Sequence, residues 1–306
     1  MAHAMPAADV EVDAGLVREL LAEQHPDLAG LPISFLAGGW DNTLFRLGDS
    51  LVVRLPRREV GARIIVGEQR WLPLLAPRLP IKIPVPERIG QSSALYPYGW
   101  SVVPYLPGVT AADAARSLDL AVVARQLAEF FGALHLPAPP DAPVNPYRGV
   151  PLARGAERLE ANLAIAALSP DTDVLLAGES AIRRSWADAL AAPAHPGPPA
   201  WLHGDAHPAN ILVDGGVISG VIDFGDITSG DPACDLSIAW KLLPLDWHPA
   251  FRAAYLKAGA GAGDDGLWRR ARGWALSQAL LFLAHSADNP QLYRVGEQTL
   301  ARVLAG

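Results

Sequence analysis

Two short apolar runs, Ile211 to Val213 and Val217 to Ile222, flank Asp214-Gly215-Gly216, and this arrangement constrains the chain more than any other feature. Adjacent glycines supply the positive-φ positions a tight hairpin turn requires, and the branched side chains on either side favour extended backbone. An antiparallel hairpin returns its strands to one end. Here that end is polar: His203-Gly204-Asp205-Ala206-His207-Pro208-Ala209-Asn210 leads into the first strand, and Asp223-Phe224-Gly225 leaves the second. The pattern predicts that Asn210 and Asp223 meet, with Asp205 on the loop entering the hairpin.

Oxygen-bearing side chains converging in this way suit one kind of chemistry. Magnesium takes hard oxygen donors and is usually held by one or two carboxylates, the rest coming from phosphate and water. Asn210 and Asp223 fit that donor set. Phosphoryl transfer asks little covalent work of a protein, but it needs an oriented hydroxyl and cations that neutralise the phosphate oxygens. Asp205 suits the hydroxyl, because its carboxylate can accept a hydrogen bond and take the proton late.

The rest of the chain reads as two unlike parts. Leu16, Leu20 and Leu21 recur at helical spacing from Asp13 to Gln24, ending at Pro26. Ile33 to Leu36, Thr43 to Leu47 and Ser50 to Leu55 read as antiparallel strands broken at Gly38-Gly39 and Gly48-Asp49. A helix over Gly67 to Leu75, an extended run from Pro84 to Ile89 and a strand at Trp100 to Val103 follow. After Pro107-Gly108 the pattern turns helical, with an apolar stripe at Leu118 to His135, further helices expected at Leu152 to Leu168 and Ala181 to Ala191, and helices again from Asp235 onward. The expectation is an α+β, bilobal chain: residues 1–104 a small β-rich nucleotide-binding lobe, residues 105–306 a larger, mainly helical lobe for catalysis and acceptor binding.

Composition narrows the partners. A formal charge of −7 without a lysine- or arginine-rich cluster argues against nucleic acid and favours a cationic or neutral small molecule. The longest uncharged apolar stretch, Trp274 to Ala284, is too short to cross a bilayer and reads as a buried helix. Met1 to Val10 lack the basic and apolar runs of a signal peptide, and the single cysteine, Cys234, fits a reducing, cytoplasmic setting. Nothing in the pattern speaks to oligomeric state.

The chain resembles the aminoglycoside phosphotransferase family of the protein-kinase-like superfamily. His203, Gly204, Asp205 and Asn210 match that family's His-Gly-Asp-x-x-x-x-Asn loop, and Ile222, Asp223 and Phe224 match its metal-binding Ile-Asp-Phe/Trp element. Gly230-Asp231-Pro232-Ala233-Cys234-Asp235-Leu236 is similar to its Gly-Asp-Pro-x-x-Asp-Leu. The resemblance implies that Asp235 and His203 brace the catalytic loop and that Asp231 shapes the same region. It also implies that Arg54 meets the nucleotide phosphates where most relatives carry lysine, with Glu68 as its partner. Gly38 and Gly39 then lie over the phosphates, and the Val103 carbonyl and Tyr105 N–H read the purine edge. ATP is the default nucleotide, with GTP as the alternative, and Mg2+ the cation. An aminoglycoside or another antibiotic is the leading acceptor; choline, homoserine or a sugar is the metabolite alternative, and a nucleotide-binding pseudokinase the non-enzymatic one.

Other polar residues take plainer readings. His135, His195 and His207 each read as a cap or solvent contact. Gly261 to Gly266 fits Gly-x-Gly-x-x-Gly but follows a helical segment rather than a strand, and so reads as a flexible loop. Asp226, Asp246, Asp264, Asp265, Asp288 and Glu297 read as a solvated acidic surface, some of which could line a cleft for a cationic acceptor.

Overall fold

The computed structural model describes residues 7–168, 173–259 and 261–306. Met1 to Pro6, within the stretch read for a leader, and Ala260 of the alanine-glycine patch lie outside the described residues. Helix α1 (Ala14–Gln24) begins where the Asp13 carboxylate accepts from the Leu16 N–H at 2.8 Å, and it buries Val17, Leu20 and Leu21. Strands β1 (Ile33–Gly38), β2 (Asn42–Leu47) and β3 (Leu51–Pro56) form a meander, followed by α2 (Glu59–Leu75), β4 (Arg88–Gly90) and β5 (Trp100–Pro104). The sheet is antiparallel in the order β1-β2-β3-β5-β4.

Helix α2 begins at Glu59, two turns before the helix expected from Gly67. Its buried face runs through Gly61, Ile65, Glu68, Trp71, Leu72 and Leu75. Two of these are not apolar, which interrupts the periodicity by which a sequence announces a helix.

Beyond β5 the chain forms β6 (Val109–Thr110), α3 (Leu120–Leu134), α4 (Ala156–Ala166), α5 (Asp173–Leu190), β7 (Ala200–Leu202), β8 (Ile211–Asp214), β9 (Val217–Val221) and β10 (Thr228–Gly230). Helices α6 (Ala233–Leu236), α7 (Ile238–Leu242), α8 (His248–Lys257), α9 (Leu267–His285) and α10 (Pro290–Ala305) complete it. β6 pairs with β8 beside the β8–β9 hairpin. β7 and β10 form a separate ribbon that the sequence did not signal, being three residues each. This is the α+β, kinase-like arrangement expected: an antiparallel sheet first, helices after.

The core has two clusters. One joins α1 to Phe45, Leu47, Val53, Leu55, Trp100 and Val102; the other surrounds α9 and also takes in Trp71, Leu72 and Leu75 at the end of α2. Trp274 to Ala284 lies within α9, which packs against α4, α5, α6 and α10. Among the described residues no helix is long and apolar enough to cross a membrane.

Candidate active site

The hairpin assembles the site. Asp214 pairs with Val217, leaving a two-residue turn in which Gly215 and Gly216 have φ of 57° and 84°, the left-handed conformations that glycine adopts without steric cost. At the other end the Ile222 N–H donates to the Asn210 carbonyl at 3.0 Å. Asn210 is buried, and its Nδ2 donates to the Asp205 carbonyl at 3.0 Å. Its Oδ1 is thereby the atom that could ligate a cation. Asp223 has φ 61°, the one positive value outside glycine among the described residues. Strain of this kind collects where a side chain must be aimed. The carboxylate is 58% exposed and so accessible to a cation. One amide oxygen and one carboxylate is a donor set that magnesium accepts.

Asp205 sits in a dense polar setting. Its Oδ1 accepts from Arg148 Nη2 at 3.1 Å, and its Oδ2 lies 3.2 Å from His207 Nε2. Burial alone would raise this carboxyl, but His207, Arg148 and Lys241 hold it well below the usual carboxylate range. Lys241 is itself buried and donates to the Ala206 carbonyl; burial pushes its ammonium down to about 8. His207 is therefore a buried partner of the loop, not the solvent contact expected. Arg148 is a site residue that sequence reasoning missed. It also donates Nε to Asp226 at 3.0 Å, and Asn145 Nδ2 holds the same carboxylate at 2.9 Å. Asp226 is thus paired rather than part of an open acidic surface. A lone arginine in a proline-rich loop, 57 positions before the aspartate it contacts, carries no periodic signal.

Behind the loop stands Asp235, fully buried, whose carboxylate accepts from the His203 N–H at 2.7 Å and the Gly204 N–H at 2.9 Å. His135 Nε2 contacts it at 3.2 Å and Nδ1 meets Tyr255 at 2.8 Å, so His135 is a core residue, again not a solvent contact. Burial opposes ionisation of Asp235, yet His135, His203 and the Gly204 N–H keep its carboxyl below its ordinary value. His203 uses both ring nitrogens: Nε2 faces the Ile222 carbonyl at 3.0 Å, and Nδ1 lies 3.2 Å from the Asp205 N–H. With both engaged, His203 is a structural tie between the loop and the second strand.

From the other sheet, Arg54 on β3 places Nη1 2.8 Å from Glu68 of α2 and Nη2 3.7 Å from Asp223. Burial raises the Glu68 carboxyl, against the pull of Arg54, and the Phe224 N–H also bonds to it. These contacts bring Arg54 and Glu68 to the hairpin end that carries Asp223.

The purine-reading assignments require correction. The Tyr105 N–H donates to the Ser50 carbonyl at 2.7 Å and so is already engaged with the strand neighbour. Val103 pairs with Val52, and strand alternation puts its N–H and C=O on the edge that Tyr105 uses, facing β3. Val102 shows the opposite edge, its carbonyl accepting from the Glu87 N–H at 2.8 Å. The Pro104 carbonyl lies on that second edge, one residue from the expected position. Gly38 and Gly39 lie at the β1–β2 turn, where the Gly39 N–H donates to the Asn42 carbonyl at 2.8 Å and Gly38 ends β1 opposite Thr43.

A second polar cluster lies apart from this one. His195, Asp231 and Asp264 offer ligand atoms within 4.8 Å of one another, but Arg270 donates to Asp231 at 2.6 Å and to Asp264 at 2.6 Å. One guanidinium already bridges both carboxylates. Asp264 is therefore a buried ion-pair partner rather than part of a solvated surface. Its Oδ2 also lies 3.3 Å from His195 Nδ1, which ties that histidine to the loop. The Gly261 to Gly266 segment is pinned through the same aspartate.

Comparison with known proteins bears on this geometry. The model of the phosphotransferase enzyme family matches residues 32–274. A solved GDP complex of aminoglycoside 2'-phosphotransferase-IIIa superposes with a TM-score of 0.65 at 20% identity, covering 96% of this chain and 99% of that one. The apoenzyme of macrolide 2'-phosphotransferase MphH from Brachybacterium faecium gives 0.61 at 23% identity, covering 93% and 97%. A streptomycin–ATP ternary complex of APH(2")-IIa gives 0.57 at 18% identity, covering 94% and 95%. Comparison with curated proteins gives no match. The family model spans most of the chain and takes in both the catalytic loop and the Asp223 element, so the chain belongs to the phosphotransferase enzyme family.

Proposed function

We propose that this phosphotransferase moves the γ-phosphoryl group of ATP, with magnesium, to a hydroxyl of a small molecule. The observation that carries the reading is the convergence of Asp205, Asn210 and Asp223 on one hydrogen-bonded hairpin end that Arg54 reaches from the opposite sheet. In this reading residues 1–104 hold the nucleotide and 105–306 hold catalysis and acceptor. The base edge meets the Pro104 carbonyl, and the Leu106 N–H is the next donor along that edge. GTP is the alternative nucleotide, since solved neighbours hold GDP, ADP or ATP.

Asn210 Oδ1 and the Asp223 carboxylate hold the magnesium ion, which supplies charge neutralisation for the phosphate oxygens. Arg54 adds a fixed cation on the phosphate side, held in place by Glu68. Asp205 orients the acceptor hydroxyl. The acceptor oxygen bonds to the γ-phosphorus as the bond to the β–γ bridging oxygen breaks; the hydroxyl proton passes to Asp205 and then to solvent, leaving ADP and a phosphate ester. A carboxyl held well below its usual range is a weak base, so it serves orientation first and receives the proton late.

Among acceptors, the solved neighbours point to hydroxylated antibiotics: their complexes hold kanamycin, streptomycin or gentamicin. ADP release measured with and without magnesium across a panel of antibiotics and hydroxylated metabolites tests the reading. Magnesium-dependent turnover that Asp205→Ala abolishes is expected; turnover that survives the substitution at the original rate rules the assignment out.

A further inference from the structure

The groups around Asp205 leave one kind of chemistry unmatched. Both cleft carboxylates, Asp205 and Asp226, are paired with Arg148 at 3.1 and 3.0 Å, and Asn145 adds a further donor to Asp226. A polycation entering here would have to compete with a guanidinium already seated between the two acids. Arg158 of α4 stands over the ring of Tyr147 at 5.1 Å, next to Arg148 in sequence, and no carboxylate among the described residues lies within ion-pair distance of it. Its guanidinium is partly desolvated and feels the like charge of Arg148, both of which disfavour its charged form. One turn further along α4, Asn162 is 3% exposed; its Oδ1 is held by His285 Nε2 at 3.0 Å while its Nδ2 has no partner. That amide is buried against α9 and closed to a ligand, so Arg158 alone is the donor on α4 that has no acceptor opposite it among the described residues.

From this imbalance we infer that the acceptor is an anionic hydroxy compound, a hydroxy acid or phosphate monoester, whose charged oxygens are received by Arg158 while its hydroxyl reaches Asp205 beside Arg148. The inference rests on Asp205 being the residue that receives the acceptor hydroxyl, and it departs from the polycationic antibiotics of the solved neighbours. A planar guanidinium forks onto carboxylate or phosphate oxygens, and a stacked tyrosine holds it at little entropic cost. The net charge of −7 does not oppose this, because exposed charges beyond about 8 Å are largely screened at physiological salt and the nearest groups decide.

The test uses full-length protein loaded with magnesium and a non-hydrolysable ATP analogue, and measures the melting temperature against glucuronate, glucose 6-phosphate, glucose, glucosamine and kanamycin. Glucuronate or glucose 6-phosphate should stabilise more than glucose, and which of the two is stronger distinguishes carboxylate from phosphate. Arg158→Gln should weaken the response to the anion about tenfold in apparent affinity, and Arg158→Lys should recover part of it. An equal response across charges, a preference for glucosamine or kanamycin, or an undiminished anion response in Arg158→Gln overturns the inference. Absence of any stabilisation by the ATP analogue itself would remove the phosphotransfer site and the inference together, whereas stabilisation by the analogue without charge discrimination removes the inference alone.

Discussion

The Ile222 N–H donates to the Asn210 carbonyl at 3.0 Å, and this bond seats Asp223 beside Asn210. The residue after Ile222 must then turn sharply, which Asp223 does at φ 61°. Left-handed backbone costs an ordinary residue roughly 1–2 kcal/mol, and glycine almost nothing. Asp223→Gly is therefore expected to stabilise the nucleotide-free protein by about 1 kcal/mol while removing the strengthening of nucleotide binding by magnesium. Urea unfolding and nucleotide titration with and without magnesium measure the two effects separately.

Asp205→Asn keeps the shape of the side chain and removes its charge. Turnover should fall by about 10² to 10⁴, with the nucleotide-induced rise in melting temperature retained. Because His207, Arg148 and Lys241 outweigh burial and hold the carboxyl well below its ordinary value, the group stays ionised through neutral and mildly acid pH. Any loss of kcat between pH 7 and about 5 should therefore persist in shape when Asp205 is the only group changed, a comparison that pH–rate profiles of both proteins make directly.

Arg54 and Glu68 form a buried pair at 2.8 Å. Glu68→Ala leaves a guanidinium without its partner and should cost about 3–5 kcal/mol, whereas the double change Arg54→Met with Glu68→Leu should cost much less. Both proteins should lose turnover. Thermal unfolding of the two, side by side, separates the structural from the functional part.

At Gly204, φ is 86° and an added Cβ would stand 2.1 Å from the Asp226 carbonyl oxygen. Because that oxygen belongs to backbone, it cannot swing aside. Gly204→Ala should destabilise by about 3 kcal/mol or more and displace Asp205, lowering kcat even in the molecules that remain folded.

Lys241 carries a pH signature. Its folded-state value of about 8 lies below the ordinary 10.5, so between those values the unfolded chain binds the proton more strongly and stability rises with pH. Well below pH 8 the buried charge is present in full. Lys241→Met should lose this rise, of order 3 kcal/mol at most when the shift is converted. Urea midpoints at pH 7.5 and 10 check the difference.

Local pattern determined a good deal. The Asp214-Gly215-Gly216 turn specifies positive φ whatever surrounds it, so the hairpin and the meeting of Asn210 with Asp223 are written in consecutive residues. The stripe of α3 is legible because its burial follows the helical period, α9 because it is a long uncharged apolar run, and the meander of β1 to β3 because glycines punctuate its branched runs. What spacing could not disclose are contacts made across the fold. Arg148 meets Asp205, His135 and His203 meet Asp235, and Arg270 meets Asp231, each pair joined by tertiary packing between segments that carry no shared period. The edge of β5 is decided in the same way, since only pairing with β3 settles whether Val103 or Pro104 turns its carbonyl outward. A sequence records which backbone conformations and faces are cheap, but which charges neutralise each other depends on distances that exist only once the helices and sheet have packed.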